Sequence, residues 1–485
     1  MKKVAPRPEA GIPTRSESLR SVFLFLGGYA LFFWGLACWK AAMLNSGTGE
    51  TAIIVHGLWS TLHWKFFWHN AYGMSYFGDH GGFILLLLVP FYALFPSPST
   101  VLLLQSVSIA ACGVPVFLIA RRVLDDRFAA WCLMLAFLFF PTIVSQHVNQ
   151  THETQFILPF LLFTYYLYET QQFGWFLAFT VVSCLGKENV PLTIMMFAGL
   201  AALQRRGWKW IVPPLAISVA TLGLTFKVIM PYFRGNRPYR TFGYFGSLGH
   251  TPMQVIGTVL TTPSVWFNQT NIFFLLELIQ PLVWVLPFLS LPVILALPDL
   301  LVNLVVQNDA LKVIRWHYNM TVGAFLVVAT VYSVKKANNW LTRRYGAARY
   351  PAGLGVLLVC MCVSQWFLWI NPNEYRPSPY RDALIQALNL VPKDASVLVP
   401  SSLLATAASR RHALNPQYLL YIEPHPQMIF DYKYLVLDMN ERDQPIPPKL
   451  VEILASNPSY QLLFNKENVL VFRRNGEEVD DEVLR

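Results

Sequence analysis

About twelve long apolar stretches, joined by short polar connections, fill the chain from Ser21 to Ile370. They lie at 21–44, 82–96, 99–120, 128–146, 155–170, 173–186, 190–204, 208–231, 271–289, 290–306, 319–334 and 351–370. At about 1.5 Å per helical residue, roughly 20 such residues cross a hydrocarbon core of about 30 Å. Several stretches are shorter or interrupted by Pro, which is tolerated where neighbouring helices or a cavity satisfy the backbone. Only 13% of the residues are charged, against about 25% in soluble domains. A soluble enzyme and a disordered chain are both excluded. The fold class expected is an α-helical polytopic membrane protein of about 11–13 transmembrane helices.

The net charge of +10 is unevenly placed. Residues 371–485 carry 15 acidic and 12 basic side chains, a net of −3, so residues 1–370 carry the remaining 12 acidic and 25 basic, a net of +13. The excess sits in short clusters, Lys2-Lys3, Arg121-Arg122, Arg205-Arg206, Lys335-Lys336 and Arg343-Arg344. Such clusters mark cytoplasmic loops, and without a continuous basic face they do not point to nucleic acid. With them inside, residues 147–153, 187–188, 232–270, 307–318 and 371–485 fall outside. One conflict follows: if 82–96 and 99–120 both cross, Arg121 lies opposite the basic N-terminus. Either 82–96 is re-entrant, or Thr51–Trp68 dips into the membrane, or one basic pair breaks the rule. Six Cys all lie in apolar runs and read as buried small hydrophobes, with neither disulfide nor zinc spacing.

Three regions follow. Residues 1–20 form a polar cytoplasmic tail, and 21–370 the membrane domain, with a first outer loop at 45–80. Residues 371–485 form a small extracytoplasmic α/β domain. In the last, the apolar runs 396–400, 434–438, 460–464 and 469–472 read as strands, and 379–390 and 448–456 as helices.

All ten His residues (56, 63, 69, 80, 147, 152, 250, 317, 412 and 425) lie outside the apolar runs and on the outer side. Ionisable groups at a membrane edge are costly and tend to be functional. Glu50 opens the first outer loop, as a reactive carboxylate or as a solvated helix-opening one. Asp79-His80 precedes Gly81-Gly82, where Asp79 either serves chemistry or caps the next helix. His152-Glu153 and Lys187-Glu188 are adjacent ionisable pairs, functional or structural. Arg315, His317 and Tyr318 form a basic-aromatic cluster that binds phosphate or anchors the interface. Trp59, Trp64 and Trp68 either stack on a sugar or anchor the loop. A divalent cation, Mg2+ or Mn2+, held by Glu50 and Asp79 is one expectation; HExxH, GxSxG, P-loop and dinucleotide motifs are absent.

The order of several segments resembles a known family. These are GLWSTL at 57–62 after Glu50, DHGGFILLLLVPFYALFPSP at 79–98, LIARRVL at 118–124 and THETQFILP at 151–159. GKEN at 186–189, RWHYNM at 315–320 and DYKYLVLD at 431–438 follow. The set is similar to the multi-pass family called domain of unknown function 2079, grouped with the GT-C superfamily of integral-membrane glycosyltransferases. The resemblance covers about residues 45–440. It implies a GT-C-like fold in the bacterial inner membrane. It implies too that sugar passes from a polyprenyl-phosphate donor to an outer-face acceptor: a glycan, a lipid or a protein. By motif, Glu50 corresponds to the acidic residue of the first outer loop that acts as general base or binds a metal.

Glycosyl transfer needs a base for the acceptor proton and cations for the departing phosphate. Glu50 or Asp79 suits the first role, and Lys187, Arg315 and His317 the second, with His80, His152, Glu153, Glu188 and Tyr318 completing the candidate binding set. The competing readings are a transporter or flippase using the buried charges as a relay, and a non-catalytic part of envelope polysaccharide assembly.

Overall fold

The computed structural model describes residues 16–235, 237, 239–249, 251–346, 350–422, 425–441 and 444–476. Most of the N-terminal tail, His250 and the last residues of the outer domain lie outside the described residues. Among the described residues, five helices are long and apolar enough to cross a membrane: Leu19–Ala42, Pro98–Leu124, Trp208–Arg234, His317–Tyr345 and Tyr350–Trp369. The pair Arg127–Leu138 and Pro141–His147, bent by 56°, is apolar enough together to form a broken span or a re-entrant loop. The bend falls at Pro141, whose ring cannot continue the preceding helix. The shorter apolar helices include Phe173–Cys184, Val190–Leu203 and Leu291–Val305.

Position in the bundle follows side-chain character. The His317–Tyr345 helix is its centre, with Val322 to Val331 almost wholly buried. Trp208–Arg234 lies at the edge and leaves Val212, Val219, Leu224 and Val228 exposed, an apolar face suited to lipid. A π-helical turn at Thr225–Ile229 interrupts it.

The Phe83–Leu94 helix lies in the segment where the orientation conflict arises. At 12 residues it reaches only about 18 Å, too short to cross. The next long helix, Pro98–Leu124, runs back along the first: Trp34 Nε1 donates to the Ser99 carbonyl at 3.1 Å, and Arg127, just past its end, donates to Ser21 Oγ at 3.2 Å.

The part expected to be outer begins at Gly49–His63, a helix buried along Thr51, Ile54, Val55 and Leu58. A two-stranded hairpin follows, β1 (Trp68–His69) and β2 (Met74–Ser75). The C-terminal domain is a five-stranded mixed sheet of β3 (Val397–Leu398), β4 (Ala413–Leu414), β5 (Tyr434–Asp438), β6 (Tyr460–Lys466) and β7 (Val469–Arg474), in the order β4-β3-β5-β7-β6. β3 is parallel to β4 and β5, while β7 is antiparallel to β5 and β6. The helices Arg381–Asn389 and Pro448–Ser456 accompany it. The four apolar runs of the tail match β3, β5, β6 and β7. β4 is two residues long and carries no periodicity that would mark it.

Candidate functional site

Five segments bring their ionisable residues together beside the C-terminal domain. Glu50 is the second residue of the Gly49–His63 helix, and its N–H donates to Gln150 Oε1 at 2.5 Å. Its carboxylate pairs with His152 Nε2. His152 is the N-cap of the Glu153–Glu169 helix, and its own N–H is fixed by Gln155 Oε1 at 2.8 Å. The His152 ring stacks on His317 at 3.3 Å between centroids, and His317 lies 3.9 Å from the Tyr318 ring.

Glu153 is completely buried. It accepts from Tyr76 Oη at 2.6 Å and pairs with Lys187 Nζ at 3.0 Å. Glu188 accepts from the Gly81 N–H at 3.0 Å and pairs with His80 Nδ1 at 3.3 Å. Asp79 stands behind His80, with Oδ2 3.7 Å from Nε2. Residues adjacent in sequence thus take partners from other segments. Lys187 belongs to Glu153 rather than Glu188, and His152 to Glu50 rather than Glu153.

These pairings set the charges. Burial opposes ionisation of Lys187, but the Glu153 and Glu188 carboxylates outweigh it and hold the ammonium above its ordinary pKa. Burial likewise opposes charging of His80, and Glu188 overcomes it, lifting the imidazole to about 9. Glu188 is pushed up by burial and drawn down further by His80 and Lys187, ending below the usual carboxylate value. Glu50 behaves alike, with His152 and Lys187 outweighing desolvation. Burial, then the Glu153 charge, raises the Tyr76 phenol well above its usual range, so it stays a donor.

The cluster lines a cavity of about 670 Å3. Glu50, His80, His152, Glu153, Lys187, Glu188, His317 and Tyr318 all line it. Its walls include Leu222, Phe226, Val302 and Leu311, with Phe226 on the π-helical turn. An apolar chamber ending in a few converging charges suits an amphiphile with a charged head. Asp79 is buried and does not border this cavity. Nor does Asp79 cap the following helix, because the N-cap of Phe83–Leu88 is Gly82. Arg315 borders a neighbouring cavity of about 300 Å3 together with Glu50, His152 and His317. Its carbonyl accepts from Ser145, Gln146 and Asn149.

Other outer-loop candidates have structural partners. Trp59 stacks on His63 at 4.3 Å, and the Lys65 ammonium lies 3.6 Å from the Trp68 centroid; Trp59, Trp64 and Trp68 do not line the 670 Å3 cavity. Tyr76, Asn189, Asp299 and Asn303 line it without having been singled out in sequence. Asp299 carried a signal, being a carboxylate inside the apolar run LPDLLVNLV. Tyr76 carried none.

Among the described residues, Glu50, His152 and His317 place one ligand atom each within 4.8 Å of one another, a spacing that could hold a metal ion. Asp79 is not one of the three. Two imidazoles and one carboxylate suit Mn2+ or a softer ion better than Mg2+, which takes oxygen ligands.

Comparisons with known proteins give the family and the fold. The family model for DUF2079, described as a predicted membrane protein, matches residues 40–471. ArnT from Cupriavidus metallidurans bound to undecaprenyl phosphate matches with a TM-score of 0.56 at 13% identity, over 93% of this chain and 98% of that one. Apo ArnT gives 0.58 at 12% identity, over 94% and 98%. An Archaeoglobus fulgidus oligosaccharyltransferase tethered with an acceptor peptide gives 0.43 at 13% identity, over 85% and 69%. No curated protein matches in sequence. The fold is GT-C-like, and the chain belongs to the DUF2079 family.

Proposed function

We propose that this DUF2079 member is an integral-membrane glycosyltransferase, moving a sugar from a polyprenyl-phosphate-linked donor to an acceptor on the extracytoplasmic side of the bacterial inner membrane. The observation that carries the reading is the buried Lys187–Glu153 pair beside Glu50 and His152 at the charged end of an apolar-walled cavity. A polyprenyl chain fits the walls and its phosphate fits the charged end. The likeness to a fold solved with undecaprenyl phosphate supports the same assignment.

In the reaction the acceptor hydroxyl oxygen bonds to the anomeric carbon while the bond from that carbon to the phosphate oxygen breaks. The bonding electrons leave with the polyprenyl phosphate, and the acceptor proton passes to the Glu50 carboxylate. Glu50 is ionised at neutral pH by the causes given above. Lys187, with a side chain only 13% exposed, meets the phosphate charge with little water competing for it. Protonated His80 adds a second positive charge. Tyr76 and Glu188 keep Glu153 and His80 in place. A divalent ion, if the reaction uses one, would be held by Glu50, His152 and His317 and would offset charge on the departing phosphate.

The test is transfer from a polyprenyl-phosphate sugar by the full chain in lipid nanodiscs. Glu50→Gln should lower turnover by about 100-fold or more, the low end of a general-base contribution, with polyprenyl phosphate still bound. Lys187→Met should weaken that binding. Turnover and binding that ignore both substitutions would end the transferase reading.

A further inference from the structure

A third cavity, of about 930 Å3, lies between the membrane helices and the outer α/β domain. It is bordered on one side by residues from 44–56 and 69–72, and from the C-terminal domain by residues from 401–422 together with Asp438, Asn440, Glu441 and Gln444. Glu50 lines both this cavity and the 670 Å3 one. The same carboxylate therefore stands between two chambers of different character. We propose that the outer chamber is the acceptor site, and that its acceptor is a hydroxyl-rich glycan without anionic groups.

Charge in the lining argues against an anionic acceptor. The acids Glu50, Asp438 and Glu441 line the chamber, and no Lys or Arg does among the described residues. A phosphorylated or carboxylated acceptor would meet like charge there. The basic side chains Lys40 and Arg315 lie instead around the 300 Å3 cavity.

The polar lining is suited to hydroxyls. Gln417 is only 4% exposed, yet neither its amide oxygen nor its nitrogen has a hydrogen-bond partner. A buried amide left unpaired costs about 1–3 kcal/mol, so native structures rarely keep one. An amide presents one acceptor and one donor group side by side, the complement of two neighbouring sugar hydroxyls. Tyr72 and Tyr418, 6.2 Å apart between centroids, line the same chamber. Their rings offer flat apolar surface to the C–H face of a pyranose. The volume falls within the roughly 300–1,000 Å3 of small-molecule sites.

The assignment rests on the transferase reading, and the experiment separates the two. The full chain in nanodiscs is applied to an array of neutral, amino, phosphorylated and carboxylated glycans, and undecaprenyl phosphate binding is measured in parallel. Wild type should be retained on neutral or amino glycans only. Gln417→Leu removes an unpaired buried amide at nearly constant volume, so its Tm should equal or exceed that of wild type. Its glycan affinity should nevertheless fall about tenfold, with polyprenyl-phosphate binding intact. Gln444→Ala, an exposed lining position, should weaken the same glycans without affecting the fold. Retention on anionic glycans only, on no glycan, or equally by the Gln417 variant would overturn the acceptor assignment. If polyprenyl-phosphate binding persists in those cases, the donor reading survives. Loss of that binding as well would remove both.

Discussion

The partner exchange among adjacent charged residues has a consequence in pH. Burial alone would lower the pKa of His80, but Glu188 at 3.3 Å lifts it from 6.5 to about 9. A group whose folded pKa is raised stabilises the fold fully below its unfolded value, and loses that contribution as pH climbs through the folded value. Glu188, held low, contributes above the ordinary carboxylate range and fails as pH falls. The pair is therefore strongest between about pH 4.5 and 6.5 and fades toward pH 9. With the His80 side chain 26% exposed, the pair is worth about 2–3 kcal/mol. Wild type should exceed Glu188→Gln in stability by that amount at pH 6, and by under about 1 kcal/mol at pH 9.5. Denaturation of both proteins at the two pH values checks it, and an equal gap at both would contradict it. Charge scarcity made these residues legible: in so apolar a chain, His80, Lys187 and Glu188 stood out. Their partners were not legible, because Glu153 meets Lys187 only when a separate helix N-terminus is packed beside it. Asp79 shows the same limit, since no sequence pattern says that it lies behind His80 rather than in the cavity.

At the scale of elements, Lys187 is placed by a glycine. Gly186 ends the connection from Phe173–Cys184, and a Cβ there would lie 2.2 Å from Ile157 Cγ1 and 2.5 Å from its Cβ. Ile157 is on the second turn of the helix that Glu153 begins. The absent side chain thus lets the 186–189 turn close onto that helix and bring Lys187 to Glu153. Gly186→Ala should destabilise by about 1–3 kcal/mol, as overpacking does, and should reduce transfer by shifting Lys187. Adding Ile157→Ala should recover much of both, because the new methyl then has space. Thermal melts and turnover of the two single variants and the double variant decide it. Additive losses would show that the contact does not position Lys187. The spans themselves were written in hydropathy, as Leu19–Ala42 and Tyr350–Trp369 illustrate. Where the sequence was ambiguous, at 82–96, the run was apolar enough to span but folded as a 3-10 turn followed by a short helix beginning at Val89, with Pro at the second position.

At the scale of the whole molecule, the outer domain is built into the site rather than tethered beside it. Thr48 N–H and Oγ1 both donate to the Ser401 carbonyl, at 3.0 and 2.8 Å, and His56 Nδ1 lies 3.0 Å from the Ala408 carbonyl. Arg381 Nε reaches the carbonyl of Ala42, the last residue of the first span, at 2.7 Å. One contiguous apolar core runs from Val22 and Phe33 in the membrane helices to Val397, Ala407 and Val436 in the outer domain. These contacts brace the helix that carries Glu50 from the side opposite the bundle. Charge follows the same division: the basic excess lies in the membrane half and the acidic one in the half that walls the outer chamber. Two units sharing a core should unfold together, so the full chain should melt in a single calorimetric transition. A chain ending at residue 370 would expose the apolar face of Gly49–His63 and leave the His56 ring nitrogen without its carbonyl. It should melt lower and lose glycosyl transfer, while keeping polyprenyl-phosphate binding, because Lys187 and Glu153 are held within the bundle. Two separate transitions in the full chain, or full transfer by the shortened one, would show that the outer domain only rests on the site.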